Sequence, residues 1–449
     1  MANKSYITNS NDDPDQLDFY AADELVLRIT NPPGEPPIPP EPPPPEPPPG
    51  PPPPGPPPPP PPGPPRPQPT IDGRFKFRVF TQTPGQDFKL GLGDSEDYRQ
   101  EFWVDWGDGS APSPIGSYDD DNRVHVYADV GSYVIEMWGH CEYFGTLYPW
   151  GMMIKDLISF EGDMGFKHIY FYVCQNLETL CPFGTMESLE DLEYVFESIS
   201  PGYLLPFPTI PEDIFAGCPN VTSCLRAFGY NVGLLGSDIP EDLFRYNTKI
   251  TTFNGVFERC TTLDTVPAGI FRYNTEVTTF GRAFYYDYNF TTIPADLFRY
   301  NTKVVDFSDT FNNNGITSIP SGLFDYNTEA LYFSATFYTC QVLDIVPSGL
   351  FTNCRKAYYF GATFASCSIM HQNAGIMGSA GMDADSMVLF FGTFAYAGSS
   401  IPWPPAGYPG TAPALWLNVY PHGSSGYNCF FGLYYNAVDN YGDIPQSWR

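Results

Sequence analysis

LFRYNT at residues 243–248, IFRYNT at 270–275, LFRYNT at 297–302 and LFDYNT at 323–328 write one motif four times along this 449-residue chain. A proline keeps the same rhythm. It recurs at Pro211, Pro240, Pro267, Pro294, Pro320 and Pro347, at intervals of 29, 27, 27, 26 and 27 residues. A fixed period of about 20–50 residues signals an array whose units bury their apolar faces against one another. The motif therefore predicts a stacked repeat architecture.

Each unit divides into two related halves. Phe244, Asn247, Ile250 and Phe253 are followed by Phe257, Cys260, Leu263 and Val266. The next repeat gives Phe271, Asn274, Val277 and Phe280, then Phe284, Asp287, Phe290 and Ile293. Constant steps of three fit neither the alternation of a strand nor the mixed threes and fours of a long helix. They suit a chain that turns a corner or makes short 3-10 turns, each placing one apolar side chain inward. Phe, Leu, Val and Ile would then stack as a continuous core.

Three residues after a core Phe, asparagine and cysteine interchange. Asn247, Asn274, Asn301 and Asn327 hold that place, as do Cys174, Cys218, Cys260, Cys340, Cys354 and Cys367, with Asn231, Asn314 and Asp287 as further members. Small polar side chains there would satisfy inward-facing backbone groups of the turn. Most of the ten cysteines are thus expected as buried rungs of a ladder. No C-x-x-C occurs, and His125, His140, His168, His371 and His422 are scattered, so no metal site and no cofactor are expected. A disulfide between stacked rungs such as Cys340 and Cys367 stays open.

The signature F-x-x-C-x-x-L-x-x-[IV]-P over roughly residues 160–400 resembles the BspA-type leucine-rich repeats. That family occurs in bacterial surface proteins and tailed-phage structural proteins, often after a PKD domain. The resemblance implies adhesion or recognition and no catalysis. Upstream, DWGDGS at 105–110 and the spacing of Tyr127, Gly131 and Tyr133 resemble the PKD domain, a β-sandwich of immunoglobulin type, over roughly residues 70–145. Gly107 and Gly109 would supply unusual backbone angles there, and Asp105 and Asp108 would hydrogen-bond turn amides. A calcium site using Asp105, Asp108 or Asp119–Asp121 is the competing reading, although the spacing fits no EF-hand loop.

Between Pro32 and Pro69 lie 28 of the 51 prolines, interrupted by Glu35, Glu41, Glu46 and irregular glycines. Such a stretch cannot form a core and is expected as a polyproline II rod of about 115 Å. The expected fold is thus multidomain and mainly β. Residues 1–31 form an N-terminal anchor and 32–69 a polyproline stalk. Residues 70–155 form a PKD-like β-sandwich and 156–208 an N-terminal cap with the first repeat. Residues 209–395 form a leucine-rich-repeat solenoid with a period of about 27 residues, and 396–449 a C-terminal cap or tip.

A surplus of 51 acids over 22 bases gives a net charge of −29. That charge repels phosphate backbones and anionic membranes, so neither nucleic acid nor membrane insertion is expected. No run approaches the about 18 apolar residues of a membrane span. The start, MANKSYITNSNDDPDQLDFY, lacks the basic and apolar pattern of a secretory signal. G-x-S-x-G, H-E-x-x-H, Walker and GxGxxG motifs are also missing, so no enzyme is expected.

In LFRYNT the Phe and Asn belong to core and ladder, leaving Arg and Tyr to point outward. Stacking would align Tyr246, Tyr273, Tyr300 and Tyr326 in one column, with Arg245, Arg272 and Arg299 beside it. Like charges about 5 Å apart repel unless acids intervene; Glu241, Asp242 and Asp296 are the nearest candidates. The column is either an aromatic ladder with charge pairs, serving stability, or a strip for a host glycan or protein.

The resulting expectation is a virion surface protein, a fibre, spike or decoration protein of a tailed phage. It would dock on a capsid or tail protein through residues 1–31 and form a homo-oligomer through its stalk. The alternatives are a bacterial secreted or cell-surface adhesin and an extracellular filament subunit held by bundled polyproline rods.

Overall fold

The computed structural model describes residues 6–9, 16–21, 24–30, 73–93, 95–199, 207–367, 388–390, 393–394, 424–425, 429 and 444–448. The expected proline rod at 32–69 and most of the expected C-terminal cap at 396–449 lie outside these residues. The described chain is mainly β, with almost no helix beyond short 3-10 turns. None of its helices is long and apolar enough to cross a membrane.

The chain divides into two units, Met1–Pro49 and Gly50–Arg449. In the first, β1 (Tyr6–Asn9), β2 (Gln16–Ala21) and β3 (Glu24–Thr30) form an antiparallel three-stranded meander.

The second unit begins with β4 (Arg74–Phe80), β5 (Gln86–Lys89), β6 (Gln100–Asp105), β7 (Ser113–Ile115) and β8 (Val124–Tyr127). It continues with β9 (Ser132–Cys141), β10 (Tyr143–Gly145), β11 (Ile154–Glu161) and β12 (His168–Tyr170). Five of these form one antiparallel sheet in the order β11-β4-β9-β6-β7. Alternation places Phe75, Phe77 and Val79 of β4 inward, where all three are fully buried. The sheet does not end at residue 155, where a boundary was expected, because β11 continues to Glu161 as its edge strand. Ring contacts then carry the core onward, Phe75 stacked on Phe160 at 4.3 Å and Phe160 tilted against Phe183 at 4.7 Å.

The two expected turn glycines adopt left-handed φ angles, 78° at Gly107 and 83° at Gly109. Asp105 accepts from the Gly107 N–H at 2.9 Å and Asp108 from the Ser110 N–H at 3.0 Å, while Asp120 accepts from Gly116 and Asn122. These carboxylates are engaged in turn chemistry. Burial opposes ionisation of Asp108, but hydrogen bonds from Ser110 and His125 hold it down at about 2.

From Asp191 onward the chain advances by repeats joined side by side. Parallel bridges link the same position of successive repeats: Ser223 to Thr252, Thr252 to Thr279, Thr279 to Asp306, Asp306 to Tyr332 and Tyr332 to Tyr359. The three-residue rhythm closes turns within a repeat, with the Asn247 N–H donating to Phe244 O at 3.2 Å and the Ile250 N–H to Asn247 O at 3.2 Å. Phenylalanines stack between repeats. Phe257, Phe284, Phe311, Phe337 and Phe364 form one column, with successive centroids 5.8, 5.4, 5.6 and 5.3 Å apart and rings within 18° of parallel. Offset stacking at such separations adds to the about 1.5–3 kcal/mol from burying each side chain.

Candidate functional site

The LFRYNT corner proves closely packed. Asn274 donates both amide hydrogens to the preceding repeat, to Phe244 O at 3.1 Å and Asn247 O at 2.9 Å. Asn301 does the same to Phe271 O and Asn274 O, Asn327 to Phe298 O and Asn301 O, and Asn247 to Phe215 O and Cys218 O. Cysteine serves with its single hydrogen. Cys260, Cys340, Cys354 and Cys367 point their thiols at Phe228 O, Phe311 O, Phe324 O and Phe337 O. Burial pushes the Cys260, Cys354 and Cys367 thiols up, which keeps each a protonated donor. All ten cysteines are free, Cys340 and Cys367 included, so the disulfide left open by the sequence does not form.

The outward Tyr/Arg column needs correction. Tyr273 is buried, only 6% exposed, and lies between Arg245 at 5.2 Å and Arg272 at 4.8 Å. Tyr246, Tyr300 and Tyr326 are half-buried, and Arg299 covers Tyr326 at 4.9 Å. The cations are also neutralised. Asp242 accepts from Arg245 at 2.9 Å and from Arg272 at 2.6 Å, Glu241 pairs with Arg272, and Asp296 with Arg299. Tyr273 and Tyr326 are covered because a guanidinium paired to a carboxylate keeps its face free for an aromatic neighbour.

A second corner escaped the sequence reading. Each repeat there holds two residues of left-handed backbone four apart. These are Arg226 and Tyr230, Gly255 and Arg259, Arg282 and Tyr286, Asp309 and Asn313, Ala335 and Thr339, Ala362 and Ser366. Left-handed backbone costs about 1–2 kcal/mol for most L-residues. A regular hydrogen-bond pattern offsets it. The N–H groups of Phe253, Gly255, Phe257 and Arg259 donate to the next repeat, while those of Val256, Glu258 and Cys260 close turns within their own.

Gly255 opens space at this corner. A Cβ there would lie 3.0 Å from Arg226 Cγ and 3.0 Å from Glu258 Oε2, and its φ is 62°. The fully buried Glu258 carboxylate folds into that space between two repeats' arginines. It accepts from Arg226 Nε at 2.8 Å and from an Arg282 terminal nitrogen at 2.9 Å. Burial pushes the nearby Glu197 carboxyl up to about 7, Arg226 opposing and Glu258 adding to the rise.

One repeat position beyond, Tyr230, Arg259 and Tyr286 are equivalent residues of three successive repeats. The exposed Arg259 guanidinium lies between the two rings, 5.5 Å from Tyr230 and 4.9 Å from Tyr286. These residues line a groove of about 210 Å³ with Ser198, Val232, Thr261 and Tyr288. The only sequence trace of the site is that Tyr, Arg and Tyr precede the rungs Asn231, Cys260 and Asp287. Among the described residues no group of three His, Cys, Asp or Glu side chains could hold a metal ion.

Compared with protein-family models, the chain matches none, and no curated protein matches it.

Proposed function

We propose that this is a non-enzymatic surface protein of a tailed-phage virion, a fibre, spike or decoration protein that recognises a host surface. Residues 1–31 dock on a capsid or tail protein. The proline-rich stretch 32–69 is the stalk, through which copies associate. A PKD-like sandwich then leads to a BspA-type leucine-rich-repeat solenoid that presents the recognition surface.

One observation carries the reading. The ladder side chains hydrogen-bond from repeat to repeat, whereas aromatic and cationic groups gather on the left-handed corner around Arg259. Rigid amphipathic rings beside a cation are the composition of a recognition surface. Gold-labelled antibody against residues 209–367, applied to purified phage particles, tests it. Label on capsid or tail supports the proposal. Label confined to the bacterial envelope overturns it in favour of the cell-surface adhesin, and label along free fibres in favour of a filament subunit.

A further inference from the structure

The chain carries a charge of −29, yet Arg226, Arg259 and Arg282 gather at one corner. Glu258 neutralises two of them, Arg226 and Arg282. Arg259 has no such partner among the described residues; its contacts are the two tyrosine rings. The rings flank the guanidinium carbon at 5.5 and 4.9 Å, and the exposed group keeps an edge of N–H donors open. That edge matches a carboxylate in bidentate fashion. Beside it Tyr288 is 51% exposed and meets Tyr286 edge-on at 5.8 Å. The Thr261 hydroxyl is buried without a hydrogen-bond partner, an orphan of the kind a ligand hydroxyl satisfies. A groove of about 210 Å³ is smaller than the about 300–1,000 Å³ of a drug-sized pocket and suits one ring.

We propose that this groove binds a carboxylated sugar, with Arg259 taking the carboxylate, Tyr286 and Tyr288 facing the ring, and Thr261 meeting a ring hydroxyl. The inference deepens the recognition role proposed above and rests on it for its biological setting. The binding itself does not depend on a virion. Sialic acids and uronic acids share the required chemistry, and the test separates them.

The full chain is titrated by calorimetry with 3′-sialyllactose, with an unsulfated hyaluronan tetrasaccharide, and with lactose as the neutral control. Saturable binding of at least one acid is expected, with lactose weaker by about tenfold or more. Whichever acid binds identifies the source. Arg259→Asn removes the cation while keeping a residue that tolerates left-handed backbone, and it should weaken binding by about tenfold or more. Tyr288→Ala, at an exposed position, should weaken it severalfold and carries the test alone if Arg259→Asn lowers the thermal midpoint. No saturable binding of either acid, equal binding of lactose, or an Arg259→Asn or Tyr288→Ala variant that folds and binds unchanged overturns the proposal. Host adsorption separates the two ideas. Sugar binding without adsorption sinks the virion reading alone, and adsorption without sugar binding sinks this one alone.

Discussion

The LFRYNT corner and the left-handed corner belong to the same repeats and treat their side chains in opposite ways. At the first, the letters hardly change from repeat to repeat, and Arg and Tyr are held by neighbouring acids and rings. At the second, the residues before the rungs run Tyr230, Arg259, Tyr286, Asn313, Thr339 and Ser366. The backbone is as regular there as at the first corner, but the side chains are not. Repetition of sequence here marks what every repeat needs from its neighbour, and local variation marks where a surface has been free to specialise.

The sharpest way to break the comparison is to attack what both corners share. Phe284→Ala removes a ring stacked on Phe257 and Phe311 and should cost about 3–5 kcal/mol in denaturant unfolding. Asn301→Ala removes two buried hydrogen bonds, leaving Phe271 O with only the Asn274 N–H and Asn274 O with only the Val277 N–H, and should cost about 2 kcal/mol. Asn301→Cys restores one donor and should recover part of the loss.

At the left-handed corner, Gly255→Ala meets both an unfavourable φ and the Glu258 carboxylate, and should cost about 1–3 kcal/mol. A loss below 0.5 kcal/mol would show that Glu258 does not need that space. Weakest of all should be Lys303→Ala, which breaks an exposed pair with Glu276 at 2.6 Å and should cost under about 1 kcal/mol.

Asp287 gives the comparison a pH axis. It is a buried rung where the first corner uses asparagine. Burial pushes its carboxyl well above the usual range, the Cys260 backbone opposing and Glu258 adding to the rise. A raised folded-state pKa means the folded chain holds the proton longer than the unfolded chain, whose aspartates release it near 3.9. Its contribution to stability is therefore complete below about pH 4 and declines as pH rises towards the folded value. Asp287→Asn should raise the thermal midpoint little at pH 4 and progressively more up to pH 8. A midpoint gain that does not grow with pH would show that Asp287 is ionised in the folded chain.

The scaffold was largely legible because its causes are local. Phe257 reads as core from its spacing, and Asn301 reads as a rung because it stands three residues after Phe298. Tyr273 was misplaced because its burial depends on Arg245 in the preceding repeat closing over it. The left-handed corner left almost no trace. Its positions hold Arg, Tyr, Asp, Asn, Ala, Thr and Ser, and among these pairs only Gly255 carries the glycine that signals such backbone. What tolerates those angles is a hydrogen bond to the next repeat, and the Arg259 groove exists only when three repeats stack in register.

The rungs of the LFRYNT corner have a direction, since Asn247, Asn274, Asn301 and Asn327 each send both amide hydrogens back to the repeat before. A loss of residues 270–296 from the gene would leave Asn301 facing Phe244 O and Asn247 O, the same pair of acceptors that Asn274 meets now. The protein could thus shorten or lengthen by whole units through recombination between near-identical segments while the frame stays sound. Such an event would delete Tyr286 and Tyr288 and leave Arg259 with one ring. Lineages could trade their binding preferences at that corner without having to reinvent the frame that carries it.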